Sequence, residues 1–188
     1  RLALYLSKIP HEHREIELKN KPAEMLSKSP KGTVPVMILG NDKLLEESLD
    51  IMKWAFKISA LKQEDALLIQ ENDTTFKHAL DRYKYPGRYL EETYRDYQKE
   101  CEVFLNTLET RLSPFLKGGE MSFIDLALFP FIRQFSEVDP NWFAAQPYPR
   151  LKEWLDFFIS SDLFQKIMQK YPVWTSANEP TFILFNEK

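Results

Sequence analysis

Between Ser29 and Trp54 the residues prescribe strand, turn, strand and helix in immediate succession, and little else accommodates them. A Pro30-Lys31-Gly32 turn leads into the apolar run Val34 to Leu39, and Gly40-Asn41-Asp42 makes a second turn. Lys43 to Glu46 then returns as a paired strand. From Leu49 the apolar spacing changes to the helical period, with Leu49, Ile51, Met52, Ala55 and Phe56 on one face and Ser48 in the N-cap position.

Two places in this run are suited to chemistry. Pro35 opens a strand, where its missing N–H is tolerable. A cis Val34–Pro35 bond turns the Val34 N–H and C=O outward, free to pair with an extended peptide-like ligand by strand addition. Ser48 starts a helix whose first N–H groups point at open space, an anion site by construction. A peptide crossing Val34 with a carboxylate near Ser48 satisfies both.

The flanking chain sorts into two parts. Arg1 to Lys8 has helix-forming residues but opens without a cap, so it reads as the tail of a helix that begins, with a strand before it, upstream of Arg1. His11 to Leu18 alternates as a strand with Ile16 and Leu18 inward, and Lys21 to Ser27 is a short helix or turn. Ser59 to Asp65 is polar and aperiodic, as a linker between domains is. From Ala66 every clear pattern is helical. Phe76, Ala79, Leu80 and Tyr83 share a face; Pro86-Gly87 interrupts; Tyr94, Tyr97, Cys101, Phe104, Leu105, Leu108 and Leu112 form a longer stripe, stopped by Pro114.

Met121-Ser122-Phe123-Ile124-Asp125 has the form of an acidic capping box, Ser122 and Asp125 serving each other's backbone, with Met121 and Leu126 as a hydrophobic staple. The helix behind it, Leu126 to Phe135, is apolar on nearly all sides and should be the buried centre of an all-helical domain. Leu151 to Phe158 and Leu163 to Tyr171 are further helices, with Trp154 and Phe158 in the core. Pro172 to Lys188 has no clear period.

Composition removes several function classes. The 188 residues carry a formal net charge of −3 with mixed signs, so there is no nucleic-acid footprint. No apolar run approaches the roughly 20 residues of a membrane span. The single cysteine, Cys101, excludes an internal disulfide and fits a reducing, cytoplasmic setting. It lies in an apolar stripe with no neighbouring His, so it reads as structural and not as a nucleophile. His11 and His13 alternate on one strand face without a third ligand and read as solvated, and no metal is implied. His78 reads as a helix-surface residue, and Trp142 and Phe143 as core.

Val34-Pro35, Glu47-Ser48 about thirteen residues on, and Asn20-Lys21-Pro22 upstream occur in the order and spacing of the glutathione-binding half of glutathione transferases. Ile16 to Ile51 most resembles omega-class and related bacterial members. The acidic capping box, in S-x-x-D form, also has its counterpart in the family. The resemblance runs from the first helix to about Trp174. It implies a thioredoxin-like α/β domain over 1–59 and an all-helical domain over 62–188. It implies glutathione, bound as substrate by Lys21, Thr33, Val34, Pro35, Glu47 and Ser48. Lys21 would meet the glycyl carboxylate, and Glu47 with Ser48 the γ-glutamyl end. Arg82, Tyr83 and Tyr85, with Arg88, would line the pocket for a small electrophile or disulfide. The residue acting on the glutathione thiol, a Cys, Ser or Tyr, is expected upstream of Arg1. A cysteine there favours thiol–disulfide transfer and deglutathionylation; Ser or Tyr favours conjugation. A homodimer is the usual assembly. The rival on the same architecture is an interaction protein of the stringent-starvation type, which binds RNA polymerase without using glutathione. Glu47-Ser48 argues against it, since a pure binding module has no use for a carboxylate-anchoring helix start.

Overall fold

The computed structural model describes residues 1–90 and 95–185. The chain divides into two compact units, Arg1–Ala60 together with Gln165–Lys188, and Leu61–Phe164.

In the first unit, α1 (Leu2–Leu6), β1 (His11–Glu12), α2 (Ala23–Lys28), β2 (Met37–Ile38), β3 (Leu44–Leu45) and α3 (Ser48–Ala55) follow in order, and β4 (Phe182–Ile183) comes from the tail. β2 and β3 pair antiparallel, with Met37 opposite Leu45 and Ile38 opposite Leu44. The Asp42 N–H donates to the Leu39 carbonyl at 2.9 Å and closes the turn. Asp42 has φ +58°, a left-handed conformation that aspartate tolerates better than most residues. This register sets Met37, Leu39 and Leu45 against Ala3 and Leu4 of α1 and Ile51 and Ala55 of α3, one small apolar core. The laddered segments are shorter than the apolar run from Val34 to Leu39. Pro35 has no N–H to contribute, and two residues of β3 are all the partner that β2 meets.

The tail corrects the expected boundary. Residues 165–188, expected with the helices, group with the first unit. The reason is backbone pairing across the length of the chain. His11 faces Ile183 and Glu12 faces Phe182 in an antiparallel ladder. The His13 N–H donates to the Thr181 carbonyl at 2.7 Å, and the Trp174 N–H to the Glu15 carbonyl at 2.8 Å. The Arg14 guanidinium lies 4.5 Å from the centre of the Trp174 ring. The strand expected over His11 to Leu18 is accordingly reduced to His11–Glu12, with single bridges at Glu15 and Glu17. Leu18, expected inward, is exposed.

Among the described residues, the named elements of the second unit are all helical. It comprises α4 (Gln63–Glu71), a π-helical turn (Asn72–Phe76), α5 (Lys77–Lys84), a 3-10 turn (Pro86–Arg88), α6 (Tyr97–Arg111), α7 (Phe123–Ser136), α8 (Pro140–Ala145) and α9 (Pro149–Ile159); α10 (Asp162–Ile167) runs across the division. α4 starts at Gln63, inside the stretch expected to be linker. Asp96 caps α6, accepting from the Lys99 N–H at 3.2 Å. The stripe of α6 is buried from Tyr97 through Leu112; Tyr94, its expected first member, lies outside the described residues. Phe129 and Phe135 of α7 and Trp154 and Phe158 of α9 are buried with it, and Phe129 stacks on Phe158 at 4.5 Å between ring centres. Phe143 is buried and Trp142 half-buried, both edge-on to Phe135.

At the start of α7 the Asp125 carboxylate is fully buried and fully used. It accepts from the Leu116 N–H at 2.9 Å, the Ser122 N–H at 2.9 Å, the Ser122 hydroxyl and the Trp154 indole N–H at 2.8 Å. Four donors match the four lone-pair positions of a carboxylate.

Candidate functional site

The turn before Val34 is fixed by a few local bonds. The Gly32 N–H donates to the Ser29 carbonyl at 2.9 Å, and the Ser29 N–H to the Met25 carbonyl at 2.8 Å, at the end of α2. Gly32 has φ +63°, and a Cβ there would sit 3.2 Å from Leu26 Cδ2, so both backbone and space ask for glycine. Lys21 Nζ lies 4.0 Å from that same Cβ position. Lys21 is half-buried and has no ion-pair partner among the described residues.

Val34 follows, with a cis peptide to Pro35. Thr33, Val34 and Pro35 are exposed, and Val34 is 46% exposed. Among the described residues neither the Val34 N–H nor its C=O has a hydrogen-bond partner. An open peptide edge therefore sits beside a lysine.

α3 begins one residue earlier in register than the sequence suggests. Glu47, not Ser48, is the N-cap (φ −115°, ψ 138°), and Ser48 is the first helical residue. The Glu47 carbonyl accepts from Asp50 and Ile51, both at 3.1 Å, which makes it the boundary. No side chain caps α3, so the first N–H groups of the helix are left open. Both Glu47 and Ser48 are exposed.

Two contacts tie this helix start to the turn. The Lys31 ammonium pairs with the Glu47 carboxylate, and the hydroxyl of fully buried Ser29 donates to the Glu46 carboxylate. The bond to Glu47 raises the Lys31 ammonium above its usual range. Lys21, Thr33, Val34, Pro35, Glu47 and Ser48 thus come from segments that Ser29 to Gly32 joins. Lys31 and Ser29 were not singled out from the sequence. The exposed lysine of a Pro-Lys-Gly turn and a serine in a loop carry no local signal, and their partners lie sixteen and seventeen residues away.

Arg82, Tyr83 and Tyr85 each pack against a different aromatic or cationic partner. Tyr83 packs against Phe135 at 5.5 Å, and burial raises its phenol above the ordinary value. The Arg82 guanidinium lies over Tyr89 at 4.3 Å, and Tyr85 is covered by Arg88 at 4.1 Å. Cys101 is completely buried, and burial together with Glu100 and Glu102 pushes its thiol up to about 12. It is no nucleophile at neutral pH. His13, expected to be solvated, is half-buried instead, tilted against Tyr171 at 4.7 Å and within 3.1 Å of the Arg1 guanidinium. Burial and Arg1 lower its pKa.

A thioredoxin-like α/β unit with an open peptide edge at a cis-proline, in one chain with an all-helical unit, defines the architecture of glutathione transferases. The chain belongs to the glutathione S-transferase family. The model of the family's N-terminal domain matches residues 1–63 and that of its C-terminal domain residues 91–157, together more than half of the chain. Glutathione S-transferase L3 of Arabidopsis thaliana is 29% identical over 162 residues, which cover 78% of this chain and 66% of the relative. The chain thus spans about two thirds of that relative's length. A glutathione S-transferase structure from Pseudomonas fluorescens aligns with a TM-score of 0.67 at 22% identity, covering 86% of this chain and 88% of that one. A glutathione transferase homologue from Sulfitobacter, solved with bound glutathione, aligns with a TM-score of 0.68 at 15% identity and 88% coverage of each chain.

Proposed function

We propose that the protein is a glutathione-dependent transferase that holds the tripeptide extended across Val34. The cysteinyl backbone of glutathione pairs with the Val34 N–H and C=O, the glycyl carboxylate faces Lys21, and the γ-glutamyl end reaches Glu47 and Ser48. The bound thiol is then delivered to a small electrophile or a disulfide. The observation that carries this reading is the unpaired Val34 peptide beside an uncapped helix start. Family membership supports it, as does the bound glutathione of the Sulfitobacter homologue.

Each proposed interaction has an ordinary physical magnitude. Two main-chain hydrogen bonds contribute about 0.5–1.5 kcal/mol each. The helix start adds about 0.3–1 kcal/mol for an anion, and a charge-assisted bond from Lys21 roughly 1.5–3 kcal/mol. Cys101 takes no part, since its thiol is buried and protonated.

Retention on immobilised glutathione with elution by the free tripeptide tests the reading. Parallel assays with a chloronitrobenzene and with a mixed disulfide of glutathione then separate conjugation from thiol transfer. Passage through the column unretained, with neither substrate turned over, leaves an interaction protein on this fold.

A further inference from the structure

We propose that the tail, residues 165–185, is a strap on the first unit, latched by His13 and released when that imidazole takes up a proton. The latch is separate from the glutathione reading and does not depend on it.

The strap is fastened at its surface. Among the described residues from 165 to 185 none is buried. Its ties include the β1–β4 ladder, the His13 N–H on the Thr181 carbonyl and the Trp174 N–H on the Glu15 carbonyl. The Arg1 guanidinium adds two, donating to the carbonyls of Ile167 at 3.0 Å and Gln169 at 3.1 Å. The buried core of the unit is Ala3, Leu4, Leu45, Ile51 and Ala55, from α1, β3 and α3. A segment held by exposed hydrogen bonds with little buried apolar surface opens at a lower free energy than the body beneath it.

His13 stands in the middle of these ties. Its side chain is only 15% exposed, and it lines both of the cavities that run along the tail. The Arg1 guanidinium lies 3.1 Å from Nε2. A guanidinium only donates, so Nε2 accepts and the ring is neutral, with its proton on Nδ1. A second proton would set N–H against N–H and cation beside cation, in a place covered by the Tyr171 ring. Lys166 adds to the positive side from one cavity, and the His11 ring stands edge-on at 6.4 Å. Two carboxylates act the other way: Glu15, 3.4 Å from Nε2 but also paired with Arg1, and exposed Glu179 at the other cavity. Burial and Arg1 prevail, and the His13 pKa lies below the ordinary value near 6.5.

The sign follows from that direction. The contribution of His13 to the closed strap is complete above pH 6.5 and is lost as the pH falls through 6.5 towards the lowered value. The charged ring is hydrated only when Tyr171 moves off it, and Tyr171 is part of the tail that also carries Thr181. Release leaves the His13 N–H and the Glu15 carbonyl as an open strand edge.

Amide hydrogen exchange on the whole chain, read by NMR and corrected for its intrinsic pH dependence, tests the latch. Protection of the His13 and Trp174 amides should fall severalfold between pH 7.5 and pH 5, nowhere more steeply than about tenfold per pH unit, the limit for one proton. Leu105 in α6 should keep its protection, since the strap opens by itself. His13→Gln puts a neutral amide oxygen near the place of Nε2 and cannot titrate, so its Trp174 amide should stay protected to within about twofold across the same range. Equal protection of the wild-type Trp174 amide at both pH values overturns the proposal, as does a parallel loss at Leu105, which is unfolding of the whole protein. A His13→Gln tail that opens with acid as wild type does, or is open throughout, also overturns it. So does a wild-type His13 imidazole that titrates above 6.5.

Discussion

The molecule contains two helix starts built from the same materials, a serine and a carboxylate, and uses them in opposite ways. At α7 the Asp125 carboxylate is buried and holds four donors, one from Ser122 through its hydroxyl and one through its backbone. At α3 the Glu47 carboxylate is exposed, leaves its own helix uncapped and, among the described residues, pairs with Lys31. The difference shows what a motif of this kind means. A carboxylate that spends every lone pair on its own chain has nothing left for a ligand, and removing it harms the fold. One that turns outward beside unpaired N–H groups costs the fold little and is available for binding.

Breaking the closed start should have the largest effect. Asp125→Ala strips the partners from two backbone N–H groups, a hydroxyl and the Trp154 indole. Each buried donor left unsatisfied costs about 1–3 kcal/mol, so urea denaturation should show a loss of about 3 kcal/mol or more. A loss under about 1 kcal/mol would remove the distinction drawn between the two starts.

At the open site the effects should move from stability to affinity. Lys21→Ala should weaken glutathione binding about tenfold, the lower end for a charge-assisted bond, with the urea midpoint unmoved. Ser48→Ala should weaken it severalfold and change stability by no more than about 0.5 kcal/mol, as an exposed substitution does. Calorimetry and denaturation on the same preparations give both numbers. A Ser48→Ala protein that unfolds like Asp125→Ala would make the two starts equivalent.

The smallest expected effect is none at all, at Cys101. Its thiol is raised to about 12 from an ordinary value near 9. An acid with a raised folded pKa favours the protonated fold, so its contribution is complete below pH 9 and is lost as the pH climbs from 9 towards 12. Native protein at pH 8 should therefore resist iodoacetamide and take up one equivalent only in denaturant, as read by intact mass. Rapid labelling of the native protein would contradict the structural reading of Cys101.

What could be read from the sequence was set by distance along the chain. Val34-Pro35 and Glu47-Ser48 are dipeptides whose meaning is local: a residue without an N–H and a helix start. The capping box of Ser122 and Asp125 spans three residues and was equally legible, but its link to Trp154 lies twenty-nine residues away and was not. The helical stripes of the second unit followed from period alone. The tail did not, because β4 has meaning only as the partner of β1, and His11 meets Ile183 across nearly the whole chain. His13 departs from its expected solvation for the same reason, since Tyr171, which packs against its ring, belongs to that tail. Lys31 escaped notice because an exposed lysine in a turn is ordinary until its partner is known.

The most direct test of the account follows backbone amides by NMR while glutathione is added. Val34, Ser48 and Leu49 should shift and saturate together, with Leu116, Ser122 and the Trp154 indole unmoved. Shifts that spare Val34 and the start of α3, or that gather at the start of α7 instead, would contradict it.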